Sequence, residues 1–293
     1  MADIANGSGT KADFEERAEE FIRTEIAKSV PSNRRRLMEK FVLAALGSIP
    51  WVGGFLSAAV NYKTDEGPIQ RDNLQTQWLE EHTRKITRLM QDLREISQRM
   101  ESLGPIIDER IQSEEYLALV RQAFRTWDRS DTEEKRKYVR NVVGNAAGTR
   151  LCSDDVIRLF IDWLELYHEA HFAVIQEIYK NPGITRFLIW DTVYGELPRE
   201  DSAEADLFRL LIRDLSTGGV IRQERETNQY GQFLRKKTPV RKGRISTTVE
   251  SAFEETKSYV LTELGKQFVH YTMNEVVPRL EATSSEIDRK TEQ

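Results

Sequence analysis

Apolar side chains recur at helical spacing along most of the chain, which predicts a mainly α-helical protein. The clearest stripe lies in 70–103, where alternating steps of three and four residues are typical of a coiled-coil helix. Its core positions are Leu79, His82, Ile86, Leu89, Leu93, Ile96, Met100 and Leu103. Charged residues between them, Asp92 included, are expected on the other faces. The stripe needs a partner helix, either elsewhere in this chain or in a second copy. In the second case the oligomer seam would consist of Ile86, Leu89, Leu93, Ile96, Met100 and Leu103.

A run of 22 residues, 41–62, carries no charge. One helix of that length would rise about 33 Å, enough to cross a bilayer, but Gly47, Pro50, Gly53 and Gly54 interrupt it. The sequence therefore predicts two short apolar helices around a turn. A hairpin buried in the core is one interpretation, and an element that enters or lies on a membrane is the other. The side chains that would meet lipid are Leu43, Leu46, Ile49, Trp51, Val52, Phe55 and Leu56.

The remaining pattern divides the chain into two predicted domains. An amphipathic helix should run from Phe14 to before Pro31, and another should start at Ser32. Further helices are expected over 105–127, 132–147 and 153–179, and Asn181, Pro182 and Gly183 then end a helical domain of residues 12–180. The polar ends, 1–11 and 282–293, are expected to be disordered tails.

The second predicted domain, 183–277, mixes helices with a small β-hairpin. Helices are expected over 184–194 and 203–215, strands over 220–223 and 259–261, and a last helix after Thr262. This order, carried by LLIRDLSTGGVIRQE and YVLTELGKQFVHYTM, resembles the second half of a winged helix-turn-helix domain. The 33 residues between Arg225 and Tyr259 would form an unusually long wing.

Charge is concentrated in that wing. The chain carries −5, yet residues 220–244 hold eight basic and two acidic side chains, a net +6 that leaves −11 elsewhere. A loop of this kind can contact phosphates or anionic lipid, or simply remain solvated. The candidate contacts are Arg235, Lys236, Lys237, Arg241, Lys242 and Arg244.

The helix over 203–215 is a poor candidate for reading bases in DNA. It carries a net charge of −1 and contains no Asn or Gln to pair with adenine. Any nucleic-acid binding is therefore expected to be non-specific and to use the wing.

Familiar enzyme motifs are missing from the sequence. It has no glycine-rich phosphate loop and no nucleophile elbow. His168 and His171 lie near Glu165 on one predicted helix, but a di-iron site needs a second such element. The single cysteine, Cys152, excludes a disulfide scaffold. We therefore expect a non-enzymatic protein without cofactor, metal or small-molecule substrate.

Three segments resemble the abortive-infection alpha proteins of bacteria: GSIPWVGG, YVRNVVGNAAG and the helix that ends in YKNPG. The likeness spans roughly residues 35–200 and implies a helical, intracellular protein linked to phage defence. The N-terminal residues lack the apolar core of a secretory signal, which also favours the cytoplasm. The first functional hypothesis is a defence or growth-arrest effector whose apolar insert perturbs the inner membrane. The alternatives are a DNA-associated regulator that binds through the wing and a helical scaffold that binds itself or another protein through the coiled-coil helix.

Overall fold

The computed structural model describes residues 35–55, 73–225, 228–230, 232–234 and 251–273. Helices dominate these residues, and a small antiparallel sheet of three strands accompanies them, which confirms the expected fold class in its broad terms. The expected helix after Phe14, the start at Ser32 and both predicted tails lie outside the described residues. In the described part of the chain, no helix is both long enough and apolar enough to cross a membrane.

The chain divides into two compact units, the first ending at Glu165 and the second running from Leu166 to Asn274. This division places the helix Glu169–Lys180 in the second unit, whereas the sequence analysis ended the first domain after it. The reason is packing, because that helix lies against the sheet and the other helices of the second unit.

The apolar insert opens the first unit and is interrupted as expected. Helix α1 (Arg35–Gly47) stops at a turn in which the Ser48 hydroxyl donates a 2.7 Å hydrogen bond to the carbonyl oxygen of Ala45. A second helical stretch, 50–55, then begins at Pro50, where a missing N–H costs nothing. Gly53 and Gly54 lie inside this second stretch and not in the turn.

The other described elements of the first unit follow α1. They are α2 (Asn73–Ser102), a 3-10 turn (Gly104–Ile107), α3 (Asp108–Gln112), α4 (Glu114–Arg129), α5 (Glu133–Gly148) and α6 (Asp154–Leu166). Among them, α3 and α4 pack against α1. The prediction of one helix over 105–127 is wrong, because the chain breaks at Ser113. The Ser113 hydroxyl accepts a hydrogen bond from the backbone N–H of Tyr116 and caps a new helix, α4.

From Ile86 to Leu103 the heptad stripe of α2 is covered within this chain. Leu89, Leu93, Ile96 and Met100 are buried, Ile86 and Leu103 are half-buried, and α2 packs against α5. The partner is thus found inside the first unit, and the expected seam offers no exposed apolar row to a second copy. Asp92 was expected on a polar face, but it is buried beside this row.

The second unit follows the order helix, strand, helix, helix, strand, strand, helix. Its elements are α7 (Glu169–Lys180), β1 (Ile184–Thr185), α8 (Arg186–Tyr194), α9 (Ala203–Thr217), β2 (Ile221–Gln223), β3 (Ser258–Leu261) and α10 (Glu263–Thr272). The helix expected over 153–179 is in fact two, α6 and α7. The break comes at His168, whose backbone N–H donates to Nδ1 of His171 and so caps α7.

The sheet of the second unit has the strand order β1-β3-β2, with β3 antiparallel to both neighbours. Ile184 pairs with Tyr259, and Ile221 pairs with Leu261. The predicted helix over 184–194 includes Ile184, and this part of the prediction is wrong because Ile184 lies in β1. The error arises because a strand of two residues is too short to show a period, while Thr185 already caps α8.

Candidate functional site

A cleft lies where the β2–β3 loop, residues 224–257, leaves the sheet of the second unit. Its volume is about 360 Å³, and its walls come from α7, β2, β3 and α10. It is lined by Ile178, Tyr179, Pro182, Arg222, Glu224, Arg225, Val260, Leu261 and Lys266. Three of these side chains are cationic and one is a carboxylate, so this loop-base cleft favours an anionic ligand.

Close packing between α10 and β2 places Lys266 at the cleft. Thr262 donates a 2.6 Å hydrogen bond to the carbonyl oxygen of Gly219, and its hydroxyl also accepts the N–H of Gly265 at 2.9 Å. A Cβ at Gly265 would overlap the carbonyl oxygen of Val220. Only glycine therefore lets the first turn of α10 approach the start of β2 so closely.

The cations of the cleft are held in different ways. The Arg222 guanidinium lies 4.8 Å from the ring centroid of Phe233, within cation–π range. Lys266 pairs with Glu263 at 2.7 Å, but both side chains are more than half exposed, so solvent screens this pair. The positive charges of Arg222 and Lys266 therefore remain available to an incoming anion.

Two aromatic side chains of the loop are exposed to solvent, and one of them, Phe233, lies beside Arg222. Tyr230 is 78% exposed and Phe233 is 51% exposed, in a short stretch that also exposes Leu234. The turn that presents them is organised by Asn228, whose Oδ1 accepts the N–H groups of Tyr230 and Gln232 at 3.0 Å each. Sequence reasoning missed both aromatics, although NQYGQF stands out as an aromatic pair in a polar loop.

The six basic candidates of the loop lie outside the described residues: Arg235, Lys236, Lys237, Arg241, Lys242 and Arg244. The end of the loop is described and is fixed to the second unit. Glu200 accepts hydrogen bonds from the Ser251 hydroxyl and from the backbone N–H of Ala252. Phe253 then packs against Trp190 and Phe208. Both ends of the basic segment are thus attached to the same unit.

Helix α9 presents a different surface. Its exposed positions include Glu204, Asp206, Leu207 and Leu210. Arg209, which could offset the acids, is paired with Glu200 and with Asp206. Arg213 is also exposed, so α9 carries a net charge of −1, and its surface is apolar and weakly acidic and attracts phosphates poorly.

The membrane-insert candidates are mostly core residues of the first unit. Leu46, Ile49, Val52 and Phe55 are buried, Trp51 is half-buried, and Leu56 lies outside the described residues. Leu43 is exposed, at 37%.

A polar clamp holds the second helical stretch of this insert against α2 and α4. The Trp51 indole donates a 2.7 Å hydrogen bond to Oδ1 of Asp128, and Lys85 pairs with the same oxygen at 2.7 Å. The His82 ring meets the Trp51 ring edge-on, with 4.9 Å between centroids. His82 was expected as a tolerated polar residue in the heptad stripe, and it packs here against the insert.

A second cleft, of about 380 Å³, lies in the first unit between α3 and α6 and includes Cys152. Arg110 forms a bidentate salt bridge with Asp154 across this cleft, with Nη1 2.9 Å from Oδ2 and Nη2 2.5 Å from Oδ1. The hydrogen bonds from Arg110 lower the pKa of Asp154. The main charges of this cleft thus satisfy each other.

Among the residues that the structure describes, no group of His, Cys, Asp and Glu is placed to hold a metal ion. The Glu165, His168 and His171 candidates belong to this part of the chain. A comparison with protein-family models, curated proteins and solved structures finds no match to this chain.

Proposed function

We propose that this protein is a non-enzymatic nucleic-acid-binding regulator that contacts the phosphate backbone through the wing of a winged-helix unit. The observation that carries the proposal is the contrast of charge within the second unit. The loop and its base are cationic, through Arg222, Arg225 and Lys266 in the cleft and six further bases along the loop. Helix α9, by contrast, carries a net charge of −1.

The topology of the second unit supports the winged-helix assignment. A helix, a short strand, two helices and two strands, with the sheet order β1-β3-β2, is the arrangement in which the loop between the last two strands forms a wing. In such a unit α9 would be the recognition helix. Because its surface attracts phosphate poorly, the wing is the part that contacts nucleic acid, and binding does not depend on base sequence.

Binding of this kind gains its free energy mainly from counterion release. Each phosphate neutralised by a lysine or arginine frees condensed cations, so affinity falls steeply as salt rises. Six to ten such contacts would cost about a thousandfold in affinity or more between 50 and 200 mM salt.

The test is fluorescence anisotropy with labelled oligonucleotides of unrelated sequence at low ionic strength. The variant changes Arg235, Lys236, Lys237, Arg241, Lys242 and Arg244 to Gln together. The control variant removes the same charge from exposed bases elsewhere: Arg84, Arg94, Arg125, Arg150, Lys180 and Arg213. We expect the loop variant to bind much more weakly and the control to keep most of its affinity. Equal loss in both, or no binding by the native protein, would end the proposal.

A second candidate function is the membrane-perturbing effector, within the defence setting that the abortive-infection likeness implies. The polar clamp favours it, because the uncharged insert is held through the hydrogen bond from Trp51 to Asp128, whose ion pair with Lys85 is partly exposed. Opening the clamp would release apolar area worth about 25 cal/mol per Å² in lipid. Against it, Phe41 and Ala45 are fully buried, so release would also empty part of the core.

Flotation with anionic vesicles tests this second function. Asp128→Asn removes the pairing charge without removing core volume, and Leu43→Ser weakens an exposed contact with lipid. The effector hypothesis predicts that the first variant floats with vesicles and that adding the second reduces this. If the native protein and both variants stay unbound, the membrane function is excluded.

A further inference from the structure

We infer that the nucleic acid bound here is single-stranded, with unpaired bases stacked on Tyr230 and Phe233 while the loop-base cleft holds the adjoining phosphates. This inference rests on the proposed function and names the substrate class of the same site.

The first argument is the exposure of the two aromatic rings. Tyr230 and Phe233 are among the most exposed large hydrophobic side chains in the described part of the chain, at 78% and 51%. An exposed aromatic costs free energy in water unless something covers it. Nucleobases can cover such rings only when they are unstacked and unpaired, as they are in a single strand.

The second argument is that a cation of the cleft lies directly beside one of the rings. The Arg222 guanidinium lies 4.8 Å from the Phe233 ring centroid, and Arg222 also lines the cleft with Arg225 and Lys266. Aromatic platforms next to a basic groove are the usual arrangement in proteins that bind single strands without sequence preference. Glu224 in the cleft and Glu263 beside Lys266 would repel a phosphate. The cleft nevertheless has three cations against the one carboxylate of Glu224, and solvent screens the charge of Glu263, which is largely exposed.

The third argument is that the turn carrying the rings has a defined shape. Asn228 donates its backbone N–H to Gln232 at 2.9 Å and accepts two N–H groups in return. Its side-chain amide also donates to Oε1 of Gln232 at 2.9 Å. An ordered turn lowers the entropy lost when bases dock on it.

The charge of α9 also favours a single strand over a duplex. A duplex docked on a winged helix places the recognition helix in the major groove. The exposed acids Glu204 and Asp206 would then face phosphates. A single strand can follow the wing and avoid α9 altogether.

The experiment compares an oligo-dT of about 20 nucleotides with a blunt duplex of similar length, using the full chain and anisotropy at low ionic strength. Tyr230→Ala and Phe233→Ala are the test variants. Leu207→Ala is the matched control, because Leu207 is also 51% exposed but lies on α9. Tyr230→Phe and Phe233→Tyr test rescue by an aromatic ring.

We expect the single strand to bind more tightly than the duplex. Each alanine variant should weaken single-strand binding about fivefold or more, leave duplex binding unchanged and regain affinity with the aromatic replacement. Equal affinity for both strand forms, together with unaltered binding by the alanine variants, overturns the inference and leaves the proposed function standing. Absence of binding to either form ends both. If the alanine variants change only the molecular mass seen by light scattering, the rings form a protein contact and the inference is also overturned.

Discussion

The indole nitrogen Nε1 of Trp127 donates a 2.6 Å hydrogen bond to Oδ2 of Asp92, and both side chains are buried in the first unit. The other carboxylate oxygen, Oδ1, accepts a 2.6 Å hydrogen bond from Nη1 of Arg140. One buried acid thus joins the long helix α2 to both α4 and α5.

Removing this acid should destabilise the protein strongly. Asp92→Ala leaves the Trp127 N–H and the Arg140 guanidinium without their buried acceptor, and we expect a loss of about 3 kcal/mol in the free energy of unfolding. Urea titration measures it. Glu95→Ala is the control, since Glu95 also pairs with Arg140 but is 46% exposed, and its loss should cost less than about 1 kcal/mol. Similar losses in both variants would contradict the role given to Asp92.

The same acid predicts a pH dependence. Burial raises the pKa of Asp92 above its ordinary value of 3.8, against the hydrogen bonds from Trp127 and Arg140, which lower it. The folded state therefore holds this proton more tightly than the unfolded state does. The stability due to the raised pKa is fully present below the unfolded pKa and is lost as pH rises through the folded pKa.

The measurement is the difference in unfolding free energy between the native protein and Asp92→Asn, taken by urea titration from about pH 4 upward. We expect the native protein to lose stability relative to the variant as pH rises through this range. A difference that grows in favour of the native protein would show that the pKa of Asp92 is lowered.

Much of the fold could be predicted because periodic apolar positions report helix faces directly. The strands that contain Ile221 and Tyr259 could be predicted because each is a short apolar run that borders glycine or a polar loop. The burial of Asp92 could not be predicted from the sequence, because it depends on contacts with Trp127 of α4 and Arg140 of α5. The break before α7 was missed for a similar reason, since the cap is made by the ring of His171 and not by a usual capping residue.

The candidate site shows the same limit. The sequence identified the basic loop from charge alone, but charge carries no information on which groups meet. Lys266 reaches the cleft because Gly265 packs against Val220, and Phe233 meets Arg222 across the loop. Both relationships join residues distant in sequence or separated by a turn.

Gly265 offers a test of how the cleft is built. Gly265→Ala should lower the free energy of unfolding by about 2 kcal/mol, because its Cβ would overlap the carbonyl oxygen of Val220 and force α10 away from β2. Gly54→Ala is the matched control, since Gly54 is helical and a Cβ there would meet nothing within 4 Å, and it should gain about 0.5 kcal/mol. Thermal or urea unfolding that shows no difference between the two variants would contradict the close packing.

The polar clamp predicts local opening of the insert. Asp128→Asn removes the charge that Lys85 pairs with and weakens the acceptor of Trp51, so protection of the 41–55 amides against hydrogen exchange should fall about fivefold. Asp162→Asn is the control, because Asp162 accepts a hydrogen bond from Gln122 on the surface, away from the clamp. Unchanged protection in the Asp128 variant would show that core packing alone holds the segment.

The salt dependence of nucleic-acid binding tests the central claim most directly. The logarithm of the association constant is plotted against the logarithm of salt concentration for the native protein and for the variant lacking the six loop bases, with whichever strand form binds more tightly. We predict a steep negative slope for the native protein and a slope shallower by about 4 for the variant, as six lost contacts with a single strand require. A native slope near zero, or identical slopes for the two proteins, would contradict the account.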